Sequence, residues 1–268
     1  MGGIAPFRAD HVGSYLRPKQ LVDARERHQE GSLGDDELRA IEDTCIRDIV
    51  KRQEDLGLDG ITDGEFRRTF FHTDFLQRLD GVTITTGAFT KAFRRDDGAE
   101  VGFRPPTMRV DGPIKHVEPI QGADFAYLAS VVRGTPKVCI PAPSMLHFRG
   151  GREAISEEYY PNLEGFFDDL TVAYRAEIAD LADRGCRYLQ MDDTNLAYLC
   201  DPKMRENARQ LGEDPNELPA TYAALINESI KGRPDSMAVC IHLCRGNARS
   251  QWFAEGGYEP VAETLFNQ

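Results

Sequence analysis

The sequence predicts an α/β fold built around a parallel sheet. Five short apolar segments alternate with amphipathic segments of helical periodicity, a pattern typical of strands joined by helical crossovers. Of the 268 residues, 41% are apolar and 28% are charged. This composition supplies one sizeable core, so we expect residues 1–268 to form a single domain.

The predicted strands are rich in Val, Ile and Leu, are bounded by Gly, Pro or Asp, and cover residues 5–14, 58–65, 137–144, 188–193 and 237–244. The helices between them place apolar residues three and four positions apart. The clearest helices begin at Asp35, run from Phe166 to about Gly185, and begin around Pro215. Shorter helices are predicted over residues 68–79, 122–133 and 258–266.

Residues 81–112 interrupt this alternation. Two β-rich pieces, Val82–Thr85 and Thr107–Val110, flank a polar, glycine-containing stretch from Arg94 to Gly102. The segment follows a strand and precedes the next long helix, which places it at the carboxyl end of the sheet, where α/β proteins build their sites. We predict a β-ribbon over that site. The alternative is a surface hairpin with no functional role.

Charge and composition exclude several classes of protein. The chain has 32 Lys and Arg against 44 Asp and Glu, a net charge of −12, whereas nucleic-acid binding needs a basic face. No apolar run approaches the ~18 residues of a membrane helix, and no signal-peptide pattern opens the sequence. Six cysteines are too sparse for a disulfide scaffold. We expect a cytoplasmic protein that binds neither nucleic acid nor membranes.

Each predicted strand ends in polar side chains. These ends are Asp10-His11-Val12-Gly13-Ser14, Asp63-Gly64-Glu65, Pro143-Ser144, Asp192-Asp193 and His242-Leu243-Cys244. Because the carboxyl ends of parallel strands meet at one edge of a sheet, we expect these groups to share a site. Each also has a structural alternative, since Glu65 and the aspartates are able to cap helices and Ser14 is able to form a turn.

His242 and Cys244 are two residues apart on a predicted strand, so their side chains share one face. An imidazole and a thiolate are ligands that Zn²⁺ prefers in proteins. The alternative is a buried core cysteine beside a hydrogen-bonded histidine.

In their order and placement, these motifs resemble the catalytic domain of cobalamin-independent methionine synthase, especially its short homologues. The matching pieces are His11-Val12-Gly13-Ser14, Asp63-Gly64-Glu65, Pro141-Ala142-Pro143-Ser144-Met145, Gln190-Met191-Asp192-Asp193 and His242-Leu243-Cys244-Arg245-Gly246-Asn247. The resemblance implies a (β/α)8 TIM barrel of the type that this family shares with uroporphyrinogen decarboxylase. Since Gln268 comes soon after the fifth strand, we expect a barrel truncated after five strands, either a fragment or a truncated product.

The resemblance also implies an activity: methyl transfer from a methylated folate to the thiol of homocysteine, giving methionine, as in the 5-methyltetrahydropteroyltriglutamate–homocysteine methyltransferases. By that analogy, Val12, Gly13 and Ser14 would hold the carboxylate of the amino acid, and Glu65 and Asp192 its ammonium group.

The remaining site residues carry over in the same way. Ser144 would complete the substrate-binding set, and His11 or Asp193 would help to protonate the folate nitrogen. His242 and Cys244 would supply two of four zinc ligands, because the family's further Glu and Cys have no counterpart in this sequence.

Two departures from the family pattern leave alternatives open. Asp193-Thr194 stands where the full-length synthases carry Glu-Pro, and the region around Ser144 has no clear counterpart of their folate surface. The alternatives are alkyl transfer to a different thiol, a metal-free decarboxylase of the same superfamily, and an inactive truncated barrel. The expected partners are a homocysteine-like thiol and a methylated-folate-like donor, and a homo-oligomer stays open.

Overall fold

The computed structural model describes residues 5–86, 91–94, 100–103, 106–248 and 251–268. The helices are α1 (Lys19–Gln29), α2 (Asp35–Asp55), α3 (Thr73–Leu76), α4 (Gly122–Val131), α5 (Met145–Phe148), α6 (Leu163–Asp183), α7 (Asn195–Tyr198), α8 (Pro202–Gln210), α9 (Leu218–Ser229) and α10 (Glu259–Asn267), with a 3₁₀ turn at Gly151–Ala154. The strands are β1 (Gly60–Ile61), β2 (Asp80–Thr86), β3 (Lys91–Arg94), β4 (Glu100–Phe103), β5 (Pro106–Lys115), β6 (Thr135–Pro141), β7 (Tyr188–Asp193), β8 (Ala238–Leu243), β9 (Asn247–Ala248) and β10 (Gln251–Trp252).

A four-stranded parallel sheet organises the fold, with the strand order β1-β6-β7-β8. This confirms the predicted α/β class. In the register of the sheet, Cys139, Gln190 and Cys240 lie side by side on β6, β7 and β8, and Asp192 lies beside His242. The four strands run in one direction, so their carboxyl ends share one edge, which we call the carboxyl edge.

The strand that we predicted over residues 5–14 is wrong, because this segment forms no strand. Side chains of the sheet bind it instead. Lys137 Nζ donates to Asp10 Oδ2 at 2.8 Å, and Gln190 Nε2 donates to the Val12 carbonyl oxygen at 2.7 Å. The segment therefore crosses the face of β6 and β7, and side-chain donors satisfy groups that a strand would pair in a ladder.

Two other predicted strands are longer than the strands in the structure. The strand predicted at 58–65 is only Gly60–Ile61, because Gly64 (φ 72°) and Glu65 (φ 57°) adopt left-handed conformations and turn the chain. The strand predicted at 137–144 ends at Pro141, since Pro143 has no amide hydrogen for the ladder.

The helix predicted over 68–79 is also shorter, Thr73–Leu76. The Asp74 carboxylate accepts hydrogen bonds from the Thr69 amide at 2.6 Å and the Phe70 amide at 3.3 Å, which holds the preceding residues outside the helix. The other predicted helices and strands agree with the structure within a few residues.

Two apolar clusters hold these elements together. In the larger, α6 packs Phe166, Leu170 and Tyr174 against the sheet. In the smaller, Leu21 of α1 and Ile46 of α2 pack beside β1. Among the described helices, none has the length and apolar character required to cross a membrane.

The predicted excursion contains antiparallel pairs in the described part of the chain. β2 pairs with β5, and β3 pairs with β4. β5 lies against α6, and β3 contacts β10, which follows β8. Residues 87–90, 95–99 and 104–105 of the predicted ribbon lie outside the described residues.

Candidate functional site

Three buried side chains converge at the carboxyl edge: Glu65 in the turn after β1, Cys139 on β6 and Asp192 on β7. Their carboxylate and sulfur atoms all lie within 4.8 Å of one another. Gln190 Nε2 donates to Asp192 Oδ1 at 2.7 Å, which fixes the Asp192 carboxylate. The left-handed backbone of Glu65 (φ 57°) is part of the turn that directs this side chain toward the sheet.

The electrostatics of this group favour an additional positive charge. Burial, followed by the nearby Glu65 carboxylate, raises the pKa of Asp192 to about 7, and burial also raises the pKa of Glu65. Burial opposes the charge on Arg68, but the carboxylates of Glu65 and Asp63 more than offset it and raise its pKa. Arg68 is the cation that acts most strongly on these carboxylates, with weaker effects of Arg17 on Glu65 and of Lys137 on Asp192. The pKa values of both carboxyl groups nevertheless stay raised, so the site suits a cationic ligand.

The segment that precedes α1 covers the acidic pair. Thr62 Oγ1 donates to the Gly13 carbonyl oxygen at 2.7 Å, and the Tyr15 amide donates to the Gly64 carbonyl oxygen at 3.1 Å. Ser14, between these two anchors, is exposed. Gly13 has a φ of 115°, and a Cβ there would lie 2.6 Å from Cys139 Sγ. Only glycine allows the backbone to approach the site this closely.

Gly13→Ala is expected to lower the free energy of unfolding by about 2 kcal/mol or more, because it adds a steric overlap with Cys139 to the strain of a left-handed alanine. The matched control is Gly185→Ala, at a φ of 95° with open space around the added Cβ, which should cost only about 1 kcal/mol of backbone strain. Urea unfolding of both variants measures the difference. Equal losses would show that the contact with Cys139 has no energetic role.

Ser144 and Asp193 are both buried, and their side chains form hydrogen bonds within the protein. Ser144 Oγ donates to Asp193 Oδ2 at 2.8 Å, and the Leu196 amide donates to Asp193 Oδ1 at 2.8 Å. Asn195 Nδ2 donates to Ser144 Oγ at 2.9 Å. These bonds hold the start of α7. The substrate-binding role of Ser144 and the catalytic role of Asp193 stay predictions.

His11 lies near the amino end of the same segment. Its Nε2 is 3.1 Å from the Gly60 carbonyl oxygen, and its ring packs against Tyr15. Burial lowers the pKa of His11, so the imidazole is neutral at physiological pH. Its predicted role in proton transfer also stays a prediction.

His242 and Cys244 lie at the carboxyl edge on and just after β8, and both are half-buried. Burial, followed by the charge of Lys137, lowers the pKa of His242, which leaves a neutral ring able to bind a metal. Within the described residues, the only group of three His, Cys, Asp or Glu donors at metal-binding distances is Glu65, Cys139 and Asp192. His242 and Cys244 thus lack a third donor here, and the described part of the chain does not fit a complete zinc site.

We expect the 268-residue chain to bind Zn²⁺ weakly, with a dissociation constant on the order of 1–100 µM, because two donors supply about half of the binding energy of a four-ligand site. Cys244→Ser should remove most of that binding. Cys240→Ser, on the same strand two residues before His242, is the control and should change it little. Calorimetric titration of zinc measures both. Nanomolar affinity in the Cys244→Ser variant would contradict the assignment.

Sequence reasoning missed two members of the acidic group, Cys139 and Arg68. In the sequence, Cys139 is one of six cysteines that are too sparse for a disulfide scaffold. In the structure, it is in register with Gln190 on the next strand. Arg68 lies in the turn three residues after Glu65, where the sequence shows only consecutive arginines. The alternation of side chains along β6 could have indicated Cys139, whereas the position of Arg68 depends on the turn itself.

Comparisons with known proteins all indicate the same family. The profile described as "Cobalamin-independent synthase, Catalytic domain" matches residues 7–251. The uncharacterized protein YxjH of Bacillus subtilis (strain 168) is 40% identical over 264 residues, which cover 98% of this chain and 68% of YxjH. The 5-methyltetrahydropteroyltriglutamate–homocysteine methyltransferase of Lactiplantibacillus plantarum is 26% identical over 237 residues, 88% of this chain and 28% of that protein.

Solved structures show the same relationship. A crystal structure from Listeria monocytogenes, provisionally named a vitamin-B12 independent methionine synthase, is 42% identical, with a TM-score of 0.78, over 99% of this chain and 70% of that one. A B12-independent methionine synthase from Shewanella sp. W3-18-1, solved with selenomethionine, shares the fold at 18% identity and a TM-score of 0.56, over 82% of this chain and 56% of that one. The chain therefore belongs to the family of cobalamin-independent synthase catalytic domains.

Proposed function

We propose that this protein transfers a methyl group from a methylated folate to the thiol of homocysteine, giving methionine. The observation that carries the proposal is the buried pair Glu65 and Asp192 beneath the Gly13 backbone. An amino-acid substrate brings the positive charge that this pair lacks. Family membership supplies the reaction type.

Glu65 and Asp192 are proposed to bind the ammonium group of homocysteine. Burial raises the pKa of both carboxyl groups, followed for Asp192 by the charge of Glu65, and a bound ammonium ion would favour their ionised forms. The backbone at Gly13 lies close to Glu65 and Cys139. We propose that this backbone, that of Val12 and the exposed Ser14 bind the carboxylate of the same substrate. These contacts orient the amino acid and leave its thiol free at the other end.

The thiol end of the substrate would then face His242 and Cys244, because His242 is in register with Asp192 on the neighbouring strand. A zinc ion, when bound, lowers the pKa of a coordinated thiol. The residues described here offer two of the donors that such an ion needs. For this chain the proposal therefore covers binding and orientation of the substrate.

Of the two predicted proton carriers, His11 suits the role better. Its imidazole is neutral and would take up a proton before passing it to the folate nitrogen. Both carboxylate oxygens of Asp193 already accept hydrogen bonds, from Ser144 and from the Leu196 amide.

We also propose that residues 1–268 form one domain and that their parallel sheet corresponds to part of a (β/α)8 barrel, with the ribbon over the carboxyl edge. The contact between β3 and β10 supports this position of the ribbon. The acidic pocket disfavours the decarboxylase alternative, because a polycarboxylate substrate would meet Glu65 and Asp192.

The affinity for homocysteine is expected to rise about tenfold between pH 6 and pH 8. The carboxyl group of Asp192 has a pKa of about 7, so it is mostly protonated at pH 6 and mostly ionised at pH 8, and only the ionised form attracts an ammonium ion. Calorimetric titration at a series of pH values measures the change. An affinity that falls or stays flat over this range would contradict the assignment of Asp192.

The proposed function is tested by comparing L-homocysteine with 4-sulfanylbutanoate, which has the thiol and the carboxylate but no ammonium group. We expect homocysteine to bind at least 100-fold more tightly. With zinc and methylated folate supplied, methionine should form from homocysteine. Equal binding of both thiols would overturn the role of the acidic pair, and methylation of a different thiol only would support the alternative acceptor.

A further inference from the structure

Side chains on one face of the parallel sheet hold the segment that carries Gly13. Within the described residues, the main chain of residues 5–14 forms no hydrogen bond with another main-chain group. Side-chain donors bind successive residues of the segment instead: Lys137 and Tyr188 bind Asp10, Lys137 also binds the His11 carbonyl oxygen, Cys139 and Gln190 bind the Val12 carbonyl oxygen, and Thr62 binds the Gly13 carbonyl oxygen. The position of this backbone therefore depends on side chains of the sheet.

Lys137 is the charged member of this set of donors. Its side chain is fully buried, and its Nζ lies 2.8 Å from Asp10 Oδ2 and 2.6 Å from the His11 carbonyl oxygen. A buried ammonium ion is stable only where acceptors replace the water that it has lost. The ion pair therefore fixes Asp10 strongly, whereas the neutral donors further along the segment hold it more weakly.

Asp10 is bound from several sides at once. The Tyr188 hydroxyl donates to the same carboxylate oxygen as Lys137, and the His11 amide donates to Asp10 Oδ1 at 2.8 Å. Burial opposes the negative charge of Asp10, but the hydrogen bonds from Lys137 and Tyr188 outweigh it and lower the pKa of this carboxyl group. Asp10 is therefore ionised, and it ties the main chain at His11 to the sheet.

This anchor is close to the substrate site along the chain. Gly13 comes three residues after Asp10, a span of at most about 10 Å. A Cβ on Gly13 would lie 3.5 Å from Glu65 Oε1. A shift of Asp10 would therefore move the backbone that we assign to the carboxylate of the substrate. Glu65 and Asp192 lie on other elements, the turn after β1 and β7, so the ammonium subsite would stay in place.

We propose that Lys137 is a positioning residue of the substrate site: by holding Asp10 and the His11 carbonyl oxygen, it places the Val12 and Gly13 backbone where this backbone binds the carboxylate of the amino acid. Lys137 acts through the segment and needs no contact with the substrate. The inference rests on the proposed function, because it assigns Lys137 to the same site.

The test compares homocysteine with 3-aminopropane-1-thiol, which has the ammonium group and the thiol but no carboxylate. We expect the unmodified protein to bind homocysteine at least tenfold more tightly than this analogue. Lys137→Met should weaken homocysteine at least tenfold and the analogue less than threefold, so the two affinities become similar. Calorimetric titration measures both at pH 8, where Asp192 is mostly ionised, because Lys137 also lowers the pKa of Asp192.

A second variant separates a loss of position from a loss of stability. Lys137→Met leaves the Asp10 carboxylate without its cation, whereas Lys137→Met combined with Asp10→Asn removes both charges. We expect the double variant to regain most of the unfolding free energy, measured with urea, and to keep the weak binding of homocysteine. Hydrogen exchange of the Tyr15 amide, which donates to the Gly64 carbonyl oxygen at 3.1 Å, should be at least tenfold faster in the double variant than in the unmodified protein.

Lys51→Met is the matched control, because Lys51 is an exposed lysine of α2 that pairs with Asp55, and it should change neither affinity nor exchange. The inference is overturned if Lys137→Met weakens both thiols equally, if the double variant regains the affinity for homocysteine together with its stability, or if its Tyr15 amide exchanges at the original rate. A failure of the proposed function is distinguishable, because the unmodified protein itself would then not bind homocysteine. That result would overturn the substrate role of Lys137 as well.

Discussion

Asp192→Asn is expected to weaken the binding of homocysteine at least 100-fold and, in the same protein, to raise the free energy of unfolding at pH 8 by about 2–4 kcal/mol. The loss of affinity follows from the loss of the negative charge that attracts the ammonium group. Asparagine keeps the size of the side chain and the acceptor oxygen that Gln190 Nε2 binds at 2.7 Å, so the pocket keeps its shape.

The gain in stability follows from the raised pKa of Asp192, which is about 7 in the folded protein against an ordinary value of 3.8. The folded state holds the proton more tightly than the unfolded state, so the contribution of Asp192 to stability is lost as the pH rises from about 4 through 7. Asparagine does not ionise, and its advantage is therefore greatest above pH 7 and small near pH 4.

Urea unfolding at pH 4 and pH 8, together with homocysteine titration at pH 8, measures both effects. Asp183→Asn is the matched control, because Asp183 is exposed at the end of α6 and should change neither quantity. A variant that loses stability at pH 8, or that binds homocysteine normally, would show that Asp192 is a structural carboxylate rather than a substrate-binding one.

Arg68→Met is expected to lower the free energy of unfolding by about 3–5 kcal/mol at pH 8, because it removes the positive charge that acts most strongly on the buried carboxylates of Glu65 and Asp192 and leaves only the weaker effects of Arg17 and Lys137. The loss should be smaller at pH 5, where Asp192 is protonated in the folded protein and needs no counterion. Methionine retains most of the apolar volume of the arginine side chain, so the comparison isolates the charge.

The double variant Arg68→Met with Asp192→Asn tests this explanation. It should recover part of the stability lost in Arg68→Met, because one of the two uncompensated carboxylates is gone. Arg78→Met is the surface control, since Arg78 pairs with Glu118 at the exposed surface and should cost no more than about 1 kcal/mol. Strictly additive effects of Arg68→Met and Asp192→Asn would contradict a shared electrostatic site.

Local patterns in the sequence determined much of the fold. The apolar run at 188–193 is the strand β7, and the helical periodicity that begins at Asp35 is the helix α2. The polar residues at the strand ends led directly to Glu65 and Asp192, which the structure places within 4.8 Å of each other. The strands and helices follow from the spacing of neighbouring residues, and the meeting of the strand ends follows from the common direction of parallel strands. Both can be inferred from a single sequence.

Other features were decided only by the tertiary structure, because they depend on partners that are distant in the sequence. Lys137 binds Asp10, 127 residues away, and this pairing makes residues 5–14 an irregular segment rather than a strand. The position of Arg68 beside the acidic pair depends on the left-handed turn at Gly64 and Glu65. Hydrophobic periodicity does not indicate which buried charged groups come together. The grouping of Glu65, Asp192 and Arg68 is therefore evident only from the tertiary structure.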